Sequence, residues 1–459
     1  MIRSLCAFAV LLSGLDPNAF AAAGAAVHFP VEYHKLPNGL KVVFSEDHTA
    51  PVVTVAVYYK IGFRVEPKDR TGFAHLFEHM MFQGSANLGK MEFIRLVESN
   101  GGILNGSTRF DFTNYYETLP SNKLETALWA ESDRMRGLAI TDANLKNQQG
   151  VVGNEVKVNV LNRPYGGFPW LDLPQIANTN YYNAHNFYGD LKDIEAATLS
   201  DVQEFFKTYY APNNAALALV GDFAPGEAKG WVEKYFASIP AHEQPAPADL
   251  TEPKQEKEKR VTKEDKLANR PALAFAYHMP DRNTPEYYAM GLWDQLLIQG
   301  DDSLLRQELV KKRALTGSVE GGINLLGNMF NYQGPMLWMG DVYHDSGTSA
   351  DQVIQAIDTV MDRVRSEGAT DAMLDRARVK LKSEFYNAVD SGFARADMLA
   401  SLALFDDRPQ RINEIEQKFA DVTPALMKKI ADDVFQTSNR TILQITPGAA
   451  APAVQKGVN

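Results

Sequence analysis

The same order of strand-like and helix-like segments runs twice along this chain, on either side of a stretch from Ala241 to Lys266 with few apolar residues of its own. That stretch carries Pro245, Pro247 and Pro253, then a run of alternating charges from Lys254 to Lys266, which is the composition of a linker. Before it, Lys41 to Glu46 and Val52 to Lys60 read as strands rich in β-branched and aromatic residues. Helical spacing follows over Gly72 to Gln83, Lys90 to Asn100, Ser121 to Arg136 and Asp142 to Asn162, with a strand over Phe112 to Leu119. A helix over Asp201 to Tyr209, a strand over Ala215 to Gly221 and a helix over Pro225 to Ala237 complete this half near Pro240. The outline then returns: a strand over Pro271 to His278, helices over Pro285 to Gln299 and Ser303 to Lys312, and strands over Gly317 to Ile323 and Tyr332 to Gly340. Long helices over Ala350 to Glu367 and Asp371 to Ala403 lead to a helix over Pro424 to Phe435 and a closing strand, Thr441 to Ile445. The expectation is an α+β protein made of two similar α/β units, 28–240 and 267–447, with a linker at 241–266 and a tail at 448–459. At 459 residues the chain has the length for two domains of roughly 200 residues each.

The first residues have another character. Arg3 followed by the apolar run Leu5 to Leu12, then Gly14, Pro17 and the small-x-small site Ala19-Phe20-Ala21, read as a cleavable signal peptide over residues 1–21. The run is too short to span a bilayer, and the chain is expected in the periplasm or outside the cell. Cys6, the single cysteine, lies inside this segment, so a mature chain would have neither disulfides nor thiol chemistry. The formal net charge of −11 argues against phosphate backbones and anionic membrane surfaces as partners.

The most informative segment is Thr71 to Gly84. His75 and His79, four residues apart, share one helix face, where two imidazoles can converge on one cation. Glu78 lies on that face too, placed to take a proton from a metal-activated water without being a ligand. H-x-x-E-H is the inverted form of the H-E-x-x-H zinc motif. Catalytic zinc needs a third protein ligand and keeps its fourth position for water. Glu155, flanked by Val151, Val152, Val156 and Val158, is a candidate; spacing alone leaves it open between a ligand and a solvent-facing helix glutamate. Ligand type alone leaves other divalent metals open beside zinc.

Several segments together carry a resemblance: the H-x-x-E-H motif with Met80 and Phe82-Gln83-Gly84, then Asn105 to Thr108, Thr113 to Tyr116, a glutamate 76 residues after the second histidine, and Tyr209 to Gly221. The chain resembles, over nearly the whole mature length, the pitrilysin and mitochondrial processing peptidase family of zinc metallopeptidases, and is similar to its short bacterial branch. The resemblance implies a clamshell of two related halves, one Zn2+ held by His75, His79 and Glu155, Glu78 as general base, and peptides or unfolded segments as substrate. Where family members often carry a further glutamate, seven residues before the ligand glutamate, this chain has Gln148, which can serve only as a hydrogen-bonding neighbour. In the second half the family's substrate-binding arginine and tyrosine fall on Val310 and Gly317. Neither offers a side-chain donor. The resemblance therefore implies a heterodimer in which a related zinc-less subunit supplies that pair; Arg306, Arg313 or Tyr332 acting in cis is the alternative. A different class of function, a non-proteolytic structural or assembly subunit that keeps its zinc site, is implied by the same two losses.

The aromatic stretch Tyr165 to Tyr188 reads as core and loop packing or as the lining of a substrate chamber, with His185 a candidate near the site. Gly101-Gly102 suggests a turn into an edge strand over Ile103 to Thr108, and in the resembling family such a strand, here with Asn105, pairs with extended substrate. No phosphate-binding loop or dinucleotide fingerprint is present.

Overall fold

The computed structural model describes residues 27–448; the signal peptide expected at 1–21, and all but Gly448 of the tail expected at 448–459, lie outside the described residues. Eleven strands among them form two sheets. The first half contributes β1 (Glu32–Lys35), β2 (Lys41–Glu46), β3 (Val52–Tyr59), β4 (Ile103–Thr108), β5 (Thr113–Pro120) and β6 (Ala215–Gly221), in the order β1-β2-β6-β3-β5-β4. The second contributes β7 (Lys259–Asp265), β8 (Ala272–His278), β9 (Glu320–Ile323), β10 (Leu337–Tyr343) and β11 (Arg440–Pro447), in the order β7-β11-β8-β10-β9. Apart from β1 the two orders are the same, each with one parallel pair, β2 with β6 and β7 with β11, among antiparallel neighbours. The internal repeat is therefore a repeat of topology, which explains why it survives faint sequence likeness: the strands need only their apolar runs and their turns.

Three of the expected elements differ in the structure. The charged run Lys254 to Lys266 is not all linker, because Lys259–Asp265 pairs with β11 as the edge strand of the second sheet, and most of its side chains are exposed. An edge strand whose side chains stay largely in solvent favours charge, which guards it against pairing with other chains. The preceding segment is fastened to the first half, with Glu252 accepting backbone N–H bonds from Thr179 at 2.5 Å and Asn180 at 3.1 Å. The strand expected over Tyr332 to Gly340 begins only at Leu337, beyond Gly334-Pro335; the N–H groups of Gln333 and Gly334 donate instead to Asp111. The helix expected over Asp371 to Ala403 breaks at Ser391 into Asp371–Asp390 and Gly392–Asp406.

That break matters for assembly. The helix Gly392–Asp406 leaves its own half and packs against β2, β3 and β6 of the first sheet. Tyr58 donates to Asp397 at 2.7 Å, Phe393 stacks on Tyr116 at 3.8 Å, and Arg395 pairs with Asp47 at 2.8 Å. In return α5 (Asp172–Ala177) of the first half packs against β7, β8 and β11, burying Leu173 and Ala177 beside Ala274, Ala276 and Leu443. Each half thus lends a helix to the other's sheet, and one core cluster runs through both.

Candidate metal centre

Helix α1 (Phe73–Met80) follows β3 and lies against the first core through Phe73, Leu76, Phe77 and Met80. Its start has no side-chain cap of its own, since Gly72 stands there in the left-handed region with φ 84°. The buried carboxylate of Glu66 takes that place, accepting the N–H of Gly72 at 2.8 Å and of Ala74 at 2.6 Å. Burial pushes the Glu66 carboxyl up to about 8, against the two N–H bonds that favour its charge. Gly189 meets Gly72 backbone to backbone: a Cβ on Gly189 would fall 2.4 Å from Gly72 Cα. This close approach brings Tyr188 up to the base of α1.

The expected histidines and glutamate meet. Helix α4 (Asp142–Val156), capped by the Thr141 side chain, packs against α1 and carries Glu155 at its C-terminal end. His75 Nε2 and His79 Nε2 are 3.3 Å apart; Glu155 Oε1 lies 3.5 Å from the first and Oε2 3.3 Å from the second. Hydrogen bonding from His75, then His79, holds the Glu155 carboxyl well below the usual carboxylate range despite its partial burial. Three donors at bond lengths of 2.0–2.1 Å around a tetrahedral ion stand about 3.3–3.4 Å from one another. The two imidazoles have that spacing before any cation is supplied, each with a different Glu155 oxygen 3.3–3.5 Å away, and the donor set of two imidazoles and a carboxylate fits zinc with one position left open.

Glu78 stands apart from the triangle, its Oε2 accepting a 2.7 Å bond from Thr108 at the end of β4. The edge strand is thereby tied to the motif helix. Tyr188, which motif spacing did not single out, closes another side: its hydroxyl donates to Glu155 Oε1 at 3.3 Å and its ring meets His75 edge-on at 5.2 Å. Burial, with Glu155 close by, pushes the Tyr188 hydroxyl up to about 12, so it stays a donor. Membership of an aromatic stretch was its only signal. Glu66 had no sequence signal, because its role depends on a tertiary helix cap.

The remaining expected residues lie elsewhere. Gln148 is buried two turns before Glu155 on α4 but donates to Asn147 at 2.9 Å. Asn105 sits on the edge strand β4, and its side-chain oxygen accepts the Gly106 N–H. His185 is stacked on Tyr181 with its ring nitrogens at the carbonyls of Phe63 and Tyr181, a packing arrangement away from the triangle. In the second half Val310 lies in a π-helical turn, Gln307–Lys312, and a Cβ on Gly317 would meet nothing within 4 Å. Of the three alternatives in cis, Arg306 pairs with Asp301 at 3.0 Å and Arg313 with Glu308 at 2.7 Å, while Tyr332 is buried with its hydroxyl unpartnered among the described residues.

Both halves of the chain match known proteins. Residues 41–164, which include the triangle, match the family described as insulinase (peptidase family M16), and residues 196–381 match the peptidase M16 inactive domain. The chain belongs to peptidase family M16. Among M16 relatives, the zinc protease PqqE of Helicobacter pylori is 25% identical over 95% of this chain and 98% of its own. The mitochondrial-processing peptidase subunit beta of Saccharomyces cerevisiae is 23% identical over 78% of this chain and 79% of its own. The crystal structure of a protease from Helicobacter pylori superposes with a TM-score of 0.84 at 25% identity, covering 92% of this chain and 100% of that one. The periplasmic protease PqqL of Escherichia coli superposes with a TM-score of 0.73 at 18% identity, covering 94% of this chain and 50% of PqqL, and shares the fold. The M16 match termed inactive falls mostly on the second half, where no group of metal-binding side chains is found among the described residues. Among the described residues no helix is long and apolar enough to cross a membrane.

Proposed function

We propose that this chain is the zinc-carrying subunit of a periplasmic metalloendopeptidase acting on peptides or unfolded segments. The observation that carries the reading is the convergence of His75, His79 and Glu155, with the two imidazoles 3.3 Å apart and each 3.3–3.5 Å from a Glu155 oxygen, beside a separately held Glu78. A zinc ion there would supply a Lewis acid for the scissile carbonyl and acidify a water. The chain's own residues do the rest. Glu78, oriented by Thr108, receives the proton of the attacking water and returns it to the leaving amine. Tyr188 holds one oxygen of Glu155, leaving the other toward His79. The exposed edge of β4 offers backbone groups to an extended peptide.

A related zinc-less subunit completes the site in this reading. The open space at Gly317, the ion pairs of Arg306 and Arg313 and the burial of Tyr332 support it. The same observations favour a second reading, a scaffold that keeps its metal without cleaving. Cleavage of a quenched fluorescent peptide by the zinc-loaded chain, alone and mixed with a zinc-less paralogue carrying the arginine and tyrosine, tests both. Activity only in the mixture supports the split site; full activity alone removes the partner; no cleavage in either supports the scaffold.

A further inference from the structure

A cleft of about 700 Å³ opens where the two halves meet. The first half lines it with Arg163, Tyr165 and Trp170, the second with Asn269, Arg270 and Tyr343. No carboxylate is among the lining residues, in a chain whose formal charge is −11. The two arginines are its only charged groups. Arg270 lies over the Tyr343 ring at 5.2 Å, and Arg163 is exposed; among the described residues neither guanidinium is paired with an acid. The nearby acids are already engaged: Asp172 is paired with Lys263 at 2.9 Å, and Asp265 accepts the N–H groups of Tyr165 and Leu267. The Tyr165 hydroxyl bonds to the Arg270 carbonyl at 2.7 Å and so fixes the two walls to each other.

The cleft reaches toward the candidate metal centre through aromatic rings. Trp170 packs on Tyr188 at 5.6 Å, and Tyr188 on His75 at 5.2 Å. An extended peptide advances about 3.3 Å per residue, so a side chain within about three residues of the scissile bond can enter the cleft. Guanidinium groups beside aromatic faces recognise carboxylates, the fork bonding both oxygens while the rings cover the carbon stem.

We propose that this cleft is a specificity subsite for a carboxylate close to the cleaved bond, supplied either by an acidic side chain or by the C-terminus of the peptide. The proposal rests on the peptidase reading for its purpose, but the binding it predicts does not depend on turnover. The test uses the zinc-loaded full chain carrying Glu78→Gln and fluorescent peptides that place Glu or isosteric Gln at each position around the bond, each with a free or amidated C-terminus. Glu peptides bind about fivefold more tightly than Gln peptides if a side chain is read, and free termini more tightly than amides if the terminus is read. Arg163→Gln with Arg270→Gln brings that ratio to about one, and Arg163→Glu with Arg270→Glu inverts it in favour of Lys peptides. Raised salt reduces the preference. Equal binding of acidic, neutral and amidated peptides, or a preference untouched by the arginine variants, overturns the proposal. A carboxylate preference without cleavage by the parent chain, either alone or mixed with the zinc-less paralogue, overturns only the peptidase reading.

Discussion

After β3, helix α1 keeps His79 and Glu78 at a half-buried surface while its other face enters the core. At the same topological place after β8, the helix Pro285–Leu297 is buried at every position from Tyr287 to Leu297. One fold unit thus exists in two chemical versions. In the first, polar side chains on the motif helix face α4 and Tyr188; in the second, Trp293 packs on Phe435 and Gln295 donates to Glu384 of the helix Asp371–Asp390, and no group of metal-binding side chains is present among the described residues of that half. The fold does not require the site, because a sheet face needs only an apolar stripe from its helix. What the second half lost in chemistry it kept as packing, and through the exchanged helices it contributes to the core beneath the first sheet.

The sharpest way to break this comparison is at Glu78. Glu78→Gln should lower peptide cleavage by about 10²–10⁴-fold while metal content stays at one zinc per chain, measured by elemental analysis. Two equivalents of tightly held metal would mean that the second half also binds, and unchanged cleavage would remove the proposed base. The exchanged helices come next. Leu399, fully buried in the helix that covers the first sheet, should cost about 2–5 kcal/mol on substitution by Ala, in one cooperative transition followed by heat or urea. Two separable transitions, one unmoved, would show that the halves fold independently.

Much of this was legible in the chain. The strand runs, the motif helix and the repeated order needed only local apolar spacing, and His75 and His79 reveal themselves because four residues on a helix always share a face. Glu155 could not be placed by spacing, since its distance in sequence says nothing of how α4 packs on α1. The β7 strand was hidden because an edge strand needs no apolar face. The departure of Gly392–Asp406 toward the other sheet was hidden because its own periodicity only shows that it buries a face, not which half covers it. Tyr188 and Glu66 owe their places to Gly189 approaching Gly72 and to a helix start without a local cap.

Buried acids allow a subtler comparison between the halves. In the second, burial pushes the Asp294 carboxyl up to about 7, despite bonds from Trp338 Nε1 and Gln299 Nε2. The native state keeps a proton that the unfolded chain releases from its ordinary value near 3.8 upward. Stability therefore falls as pH rises from about 4 to 7, with a slope of up to about 1.4 kcal/mol per pH unit. Asp294→Asn should remove that slope in urea titrations at pH 5 and 7. In the first half Glu66 acts in the same direction over about 4.5 to 8. Its two oxygens each accept a backbone N–H, so Glu66→Gln should flatten the slope and also lower stability at every pH, through the N–H it leaves unpaired at the start of α1. Equal behaviour of the two variants would deny Glu66 its role as a helix cap.

The smallest effect is expected at Tyr188. Its 3.3 Å bond to Glu155 is long, and α1 and α4 are already held together by their own packing, so the hydroxyl orients the carboxylate more than it secures it. Tyr188→Phe keeps the ring against His75 and Trp170 and removes only that donor. A single hydrogen bond to a charged group near a metal ligand corresponds to a loss of about three- to tenfold in zinc retention, read by competition with a chelator, with the midpoint of thermal unfolding of the metal-free chain little changed. No loss of retention would mean that helix packing alone sets the triangle's edges. A loss of several hundredfold would mean that the hydroxyl belongs to the ligand shell itself, and the difference between the halves would then extend beyond the motif helix to the loop that carries Tyr188.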